Sequence, residues 1–332
     1  PSGNLVDRIG IGRSLALAMS LITAGVYGFS VSQSAGPALF YSFLLGTGSS
    51  IINPATGKAV MDWFPPGRRG TIMGTKQLGV PLGGVVSAFM GAAAVLMDWR
   101  IILAVLGTLG LVTSAICFFG LPTGDKRQSR STFKSDVFQM MKNKRLNVLS
   151  LVSVPFNMGQ ATFYTYLTLF LREAAQASQP VAALCLALSQ IAAASGRVGF
   201  AYISDTFLAT RRKPMILFAV SVAMTSMIIA TLVSADWNVF YLGILAFVMG
   251  GTIAGFAALM ITAAVESVVP ELTGSAIGYR SMAWSLGGVI GPPIFGFILD
   301  LSGSYSAAWL ALAGIVGSGL LLFALKFSET RQ

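Results

Sequence analysis

The chain has 332 residues, 55% of them hydrophobic and 10% charged, where an ordinary soluble domain carries about 25% charged residues; a water-soluble fold is excluded. Histidine is absent, and the two cysteines, Cys117 and Cys185, lie inside apolar runs, so no disulfide framework, no zinc or haem site and no cofactor are expected. The net charge of +10 reads as membrane topology, and no nucleic-acid partner is expected.

The chain opens on polar and charged residues, with neither a start methionine nor a signal peptide to read, and is taken as a fragment whose beginning is missing. Apolar runs bounded by charge clusters and by Gly, Pro, Asn and Ser then predict helices over 14–33, 37–62, 71–97, 100–120, 147–171, 179–203, 214–234, 237–266, 272–300 and 305–327. Each has about the 20 residues that a bilayer crossing needs. Most connections are short, because irregular backbone exposed to lipid leaves polar groups unsatisfied. The exception, 121–146, is polar and basic and reads as a linker between an N-terminal bundle (1–120) and a C-terminal bundle (147–332).

Lys and Arg collect in the connections at 1–13, 64–70, 121–146 and 205–213 and in the C-terminal tail, whereas the opposite face holds only Arg100 and Arg172. Cytoplasmic loops accumulate these residues. The start of the chain, the linker and the C-terminus are therefore expected in the cytoplasm. The short loops and the lack of an N-x-S/T site point to a bacterial inner membrane.

An offset of 204 residues lays GTIMGTKQLGVPLGGV (70–85) over GSAIGYRSMAWSLGGV (274–289), with six of sixteen positions identical. The same offset pairs Pro66 with Pro270, Asp62 with Glu266 and Lys76 with Arg280. Two parallel repeats joined by a basic linker are expected of two bundles related by an axis along the membrane normal. A second recurrence pairs GNLVDRIGIGR (3–13) with AYISDTFLATRRK (201–213).

The first of these segments resembles the signature of the major facilitator superfamily, G-x-L-x-D-R-x-G-x-x-x, in the cytoplasmic turn between its helices 2 and 3. The matching residues are Gly3, Leu5, Asp7, Arg8, Gly10 and Arg13. The second copy keeps Asp205 and Arg211 but has Thr206 in place of the arginine. The resemblance implies an all-α fold of two pseudo-symmetric bundles, with ten of twelve transmembrane helices present and helices 1 and 2 missing. It also implies a cytoplasmic gate in which the signature carboxylate faces a helix start, where unpaired N–H groups and the helix dipole attract an anion. Asp7 is thereby placed at the helix start near Thr273, and Asp205 at the one near Thr71. Arg8 and Arg13 would reach Asp62, and Arg211 or Arg212 would reach Glu266.

Four basic residues lie within spans: Lys58, Lys76, Arg197 and Arg280. Intramembrane charge costs about 2.5–3.5 kcal/mol on insertion scales and marks a pathway or a pairing. Lys76 and Arg280 occupy equivalent depths in the repeat, so two cations beside a central cavity would suit an organic anion; the competing reading has both reach the surface or pair with gate acids. GVPLGG (79–84) resembles the superfamily's antiporter motif with a valine inserted before Pro81, and close helix packing explains it equally. On the helices that the superfamily uses to line its cavity, Asn53 and the Asn157, Gln160, Tyr164 stripe are candidate substrate contacts or interhelical glue.

The reading is a monomeric, non-enzymatic secondary transporter of a small solute, with an organic anion as candidate substrate and a proton as candidate coupling ion, set among membrane lipid. A drug efflux proton antiporter is the alternative, followed by a non-transporting receptor. An enzyme would need paired acids, a histidine or a metal cluster at membrane depth.

Overall fold

The computed structural model describes residues 2–84, 86, 97–121 and 133–329. The elements among them are helices: α1 (Ser2–Ile9), α2 (Ile11–Ser30), α3 (Ala35–Trp63), α4 (Arg69–Lys76), α5 (Trp99–Gly120), α6 (Phe133–Lys142), α7 (Lys144–Glu173), α8 (Gln179–Thr206), α9 (Lys213–Ala230), α10 (Val239–Gly255), α11 (Ala257–Val265), α12 (Thr273–Ser302) and α13 (Tyr305–Lys326). Single 3₁₀ turns precede α4 and α12. Helices satisfy every backbone group within the segment, which hydrocarbon demands.

Among the described residues, eight helical stretches are long and apolar enough to cross a membrane: α2, α3, α5, α8, α9, the α10–α11 pair, α12 and α13. Helix α7 is 30 residues long, but Asn157, Gln160 and its threonines and tyrosines dilute its apolar content. Three segments show local structure beyond the expected spans. The signature segment is itself the helix α1, ended at Gly10, whose φ of 85° turns the chain into α2; glycine enters this left-handed region without a Cβ penalty. The span expected over 71–97 is helical to Lys76, turns at 77–78 and resumes over 79–84, and 85 and 87–96 lie outside the described residues. The stretch 121–146 contains α6 and the start of α7, while 122–132 lies outside the described residues.

The described residues form two units. The first comprises 1–64, 82–140 and 268–279. In it α2 packs along α3 and α5. A Cβ on Gly48 would stand 2.7 Å from the Ala18 carbonyl oxygen, so only glycine allows that approach. Ser114 Oγ donates to the Ala16 carbonyl at 3.0 Å and shares a 2.9 Å hydrogen bond with Ser20 Oγ. Val6 of α1 is buried with Ala18, Ile51 and Ala55.

The second unit comprises 65–81, 141–267 and 280–332. Lipid supplies no hydrophobic drive between helices, so close packing must hold them together. Gly250 of α10 abuts the Ser189 backbone of α8, and Gly291 of α12 leaves only 2.7 Å between a would-be Cβ and Met158 Cα of α7. Phe170, Phe295 and Trp309 stack edge to face, Trp309 having centroids 5.4 and 5.0 Å from the other two.

Candidate functional site

Asp7 is 5% exposed. Its Oδ1 accepts from Lys58 Nζ at 2.8 Å and from the Gly274 N–H at 3.3 Å. Its Oδ2 accepts from the N–H and Oγ of Ser275 at 3.1 and 3.0 Å. The carboxylate thus caps the first turn of α12, whose leading N–H groups have no partner within the helix. Gly3 makes the approach possible, since a Cβ there would collide with the Gly274 backbone. Burial holds the Asp7 carboxyl above the usual carboxylate range, although Lys58 and Ser275 pull the other way.

Asp205 does the same at α4. Its Oδ2 accepts from the N–H and Oγ1 of Thr71 at 2.7 and 2.8 Å, and its Oδ1 pairs with Arg212 Nη1. Thr71 and Ser275 are related by the 204-residue repeat, as are Gly70 and Gly274, each a glycine pressed against its carboxylate. Arg212, 1% exposed, also donates to Ser204 Oγ at 3.0 Å and reaches both oxygens of Glu266, from Nη2 at 3.1 Å and from Nε at 3.4 Å. Burial opposes the charge on Arg212, but its two acids outweigh burial and raise its pKa.

Deeper in the same unit, Arg197 (4% exposed) donates from Nη1 to the Gln77 carbonyl at 2.8 Å and from Nε to the Ala254 carbonyl at 3.3 Å. The reason lies in the local sequence. Pro81 has no N–H to give the carbonyl four residues before it, so Gln77 O is left to Val80 N, in a 3₁₀ bond of 3.3 Å, and to Arg197. Ala254 O lies just before the interruption at Phe256 that divides the single span expected over 237–266 into α10 and α11. Arg197 neither reaches the surface nor pairs with an acid in these contacts; it serves backbone at two helix breaks.

Asn157 Nδ2 donates to the Trp284 carbonyl at 2.7 Å, tying α7 to α12. One turn along the same face, Gln160 Oε1 and Tyr164 Oη are buried without a hydrogen-bond partner among the described residues. Arg280 is 3% exposed, its guanidinium lies 4.8 Å from the centroid of the Trp284 ring, and its Nε and Nη2 have no hydrogen-bond partner among the described residues. Lys76 is half-buried, and Asn53 is exposed on α3.

Arg8, Arg13 and Asp62 are exposed, and Lys58 is a cation on Asp7. Of the two arginines expected to reach Glu266, Arg212 is the one that does. Arg211 is exposed and its carbonyl accepts from Ser204 Oγ at 2.9 Å; the neighbouring Arg212 makes the ion pairs with Asp205 and Glu266. The cause is the turn before them, where Ala209 (φ 47°) and Thr210 (φ 63°) both adopt left-handed backbone and roll Arg212 inward. Sequence reasoning missed Glu329, whose Oε1 accepts from the N–H groups of Arg212 and, at 2.6 Å, Lys213. Nothing local flags it, because these partners are 117 and 116 residues away.

The sequence profile of the Major Facilitator Superfamily matches residues 1–253 and 209–332. An uncharacterized MFS-type transporter of Mycobacterium tuberculosis is 27% identical over 320 residues, spanning 94% of this chain and 69% of that protein. The hexuronate transporter of Bacillus subtilis is 23% identical over 326 residues, spanning 92% and 76%. The crystal structure of the E. coli fucose:proton symporter superimposes with a TM-score of 0.81 at 14% identity, covering 99% of this chain and 87% of that one, a likeness of fold. Matched along its whole length, the chain belongs to the Major Facilitator Superfamily and is a multi-pass membrane protein that transports a small solute and is not an enzyme.

Proposed function

We propose that this transporter moves a small organic anion across a bacterial inner membrane by alternating access, and that Arg280 holds the anion. The observation that carries the reading is the state of Arg280: a buried guanidinium, stacked on Trp284, with two donor nitrogens unspent among the described residues. An unpaired buried charge is strongly destabilising, so its retention is accounted for by an arriving carboxylate, which a guanidinium binds with charge-assisted, two-point geometry. The hexuronate transporter among the relatives carries an organic acid by name, which supports the same class. Lys76, Asn53, Gln160 and Tyr164 are further candidate contacts, and a proton is the candidate coupling ion.

In this reading ten spans, the eight above joined by α7 and the segment that begins with α4, divide into bundles over 1–120 and 147–332 linked through 121–146. The protein works as a monomer, with the linker and both ends of the chain in the cytoplasm. The Asp7 and Asp205 clasps form the cytoplasmic gate, and they release when the substrate site opens inward.

Uptake of radiolabelled glucuronate, lactate and ethidium into proteoliposomes tests the proposal. One of the two carboxylates should accumulate, Arg280→Gln should abolish that uptake, and Arg280→Lys should retain part of it. Transport of ethidium alone, or normal carboxylate uptake by Arg280→Gln, would overturn the anion reading and favour drug efflux.

A further inference from the structure

We infer that Glu329, at the C-terminal end of the chain, is a positioning residue of the gate, acting through Arg212. Its Oε1 takes two adjacent backbone donors, the N–H groups of Arg212 and Lys213, at the start of α9. The exchange is reciprocal. Lys213 Nζ donates to the carbonyls of Ala324 and Phe327 at 2.8 and 2.6 Å, capping the end of α13, from which Glu329 projects. Each helix end therefore supplies the charge that the other end attracts: an anion at an N-terminus and a cation at a C-terminus.

The contact bears on the gate because of what Arg212 holds. Its backbone is fixed by Glu329, while its side chain bridges Asp205, which caps α4, and Glu266. The turn that delivers it is strained, since Ala209 and Thr210 are consecutive non-glycine residues with positive φ. Such residues cost of order 1–3 kcal/mol each and persist only where surroundings over-determine them. Glu329 supplies that determination from outside the turn. Beside the contact lies a cavity of about 590 Å³, lined by Arg145, Arg211, Glu266, Phe327 and Glu329 among others. It gives the tail space to disengage without crossing the packed core. Seating of Glu329 thus biases whether the Asp205 clasp is closed.

The inference rests on reading that clasp as a gate, and the test separates the two. In a background carrying Cys117→Ser and Cys185→Ala, the reporter is Met73→Cys, since Met73 lies in α4 beyond Thr71 and is 0% exposed. The protein is reconstituted in nanodiscs and labelled with a membrane-impermeant maleimide. Asp205→Asn should label faster than the parent; if it does not, the gate reading itself fails. Glu329→Ala should label about fivefold faster, the ratio expected on losing a helix-capping acceptor, and should lower maximal transport with KM unchanged. Glu329→Gln keeps an acceptor oxygen but loses the charge, and should label at a rate between those of the parent and Glu329→Ala. Parental labelling by Glu329→Ala alongside fast labelling by Asp205→Asn would overturn the role of the tail. So would equal effects in the Gln and Ala variants, or a Glu329→Ala that lowers only the amount of folded protein.

Discussion

Asp7 and Lys58 form an ion pair of 2.8 Å in which the carboxylate is 3% exposed and the ammonium 12% exposed by side chain. The same carboxylate caps α12 through Gly274 and Ser275. Lys58 therefore neutralises the acid that holds a helix 267 residues away.

Removing the cation should cost more than removing both partners. Lys58→Met leaves a buried carboxylate with no cation and should destabilise by about 3 kcal/mol. Asp7→Asn added to Lys58→Met should recover part of that loss, because an amide is cheaper to bury than a charge. Thermal unfolding of the four members of the cycle in detergent measures the coupling; additive effects would contradict the pair.

The Asp7 clasp should loosen on acidification, at a pH higher than an exposed aspartate would require. Burial raises its pKa above that of an exposed aspartate, so the folded protein takes up this proton more readily than the unfolded chain. By linkage, the contribution of Asp7 to global stability falls as pH rises from the unfolded pKa through the raised one. Protonation at lower pH favours the fold while weakening the charged cap on α12. Maleimide labelling of a cysteine at Ile277, which is 1% exposed, should quicken as pH falls, and Asp7→Asn should flatten that profile.

Arg197 and Pro81 should be energetically coupled. Arg197→Met strips a donor from the carbonyl that Pro81 leaves open and should destabilise by about 1–3 kcal/mol, the cost of an unsatisfied buried acceptor. Pro81→Ala restores an N–H for Gln77 O, so in that background the same substitution should cost about 1 kcal/mol less. Denaturation midpoints of the cycle check this, and an equal cost in both backgrounds would mean that Arg197 acts elsewhere.

Thr210→Gly should stabilise the protein. The φ of 63° suits glycine and strains a β-branched residue. Relief of about 1 kcal/mol would raise Tm by roughly 2 °C in a chain of this size. The same change should speed labelling at Met73→Cys, because a freer turn holds Arg212 less firmly. A lowered Tm would show that the Thr210 side chain contributes more than its backbone strain costs.

The helices and the family were legible in the sequence because both are local signals. Hydropathy over about 20 residues marks a membrane crossing whatever the rest of the chain does, and the run from Gly3 to Arg13 carries the superfamily resemblance in eleven consecutive positions. Helix ends moved by a few residues where local chemistry intervened, as at Gly10, whose positive φ starts α2 at Ile11. The interruption after Lys76 had a visible cause in Pro81, but its consequence, a carbonyl served by Arg197, did not.

What only the tertiary structure decided is which charge meets which. Lys58 reaches Asp7 across 51 residues, Arg212 rather than Arg211 takes Asp205 and Glu266, and Glu329 seats on a turn 117 residues before it. Composition and spacing name the cations and anions of such a chain. Their pairing depends on side-chain direction at each helix end and on the backbone of a single turn. These geometries are set by packing between segments distant in sequence, and a hydropathy pattern holds no record of them.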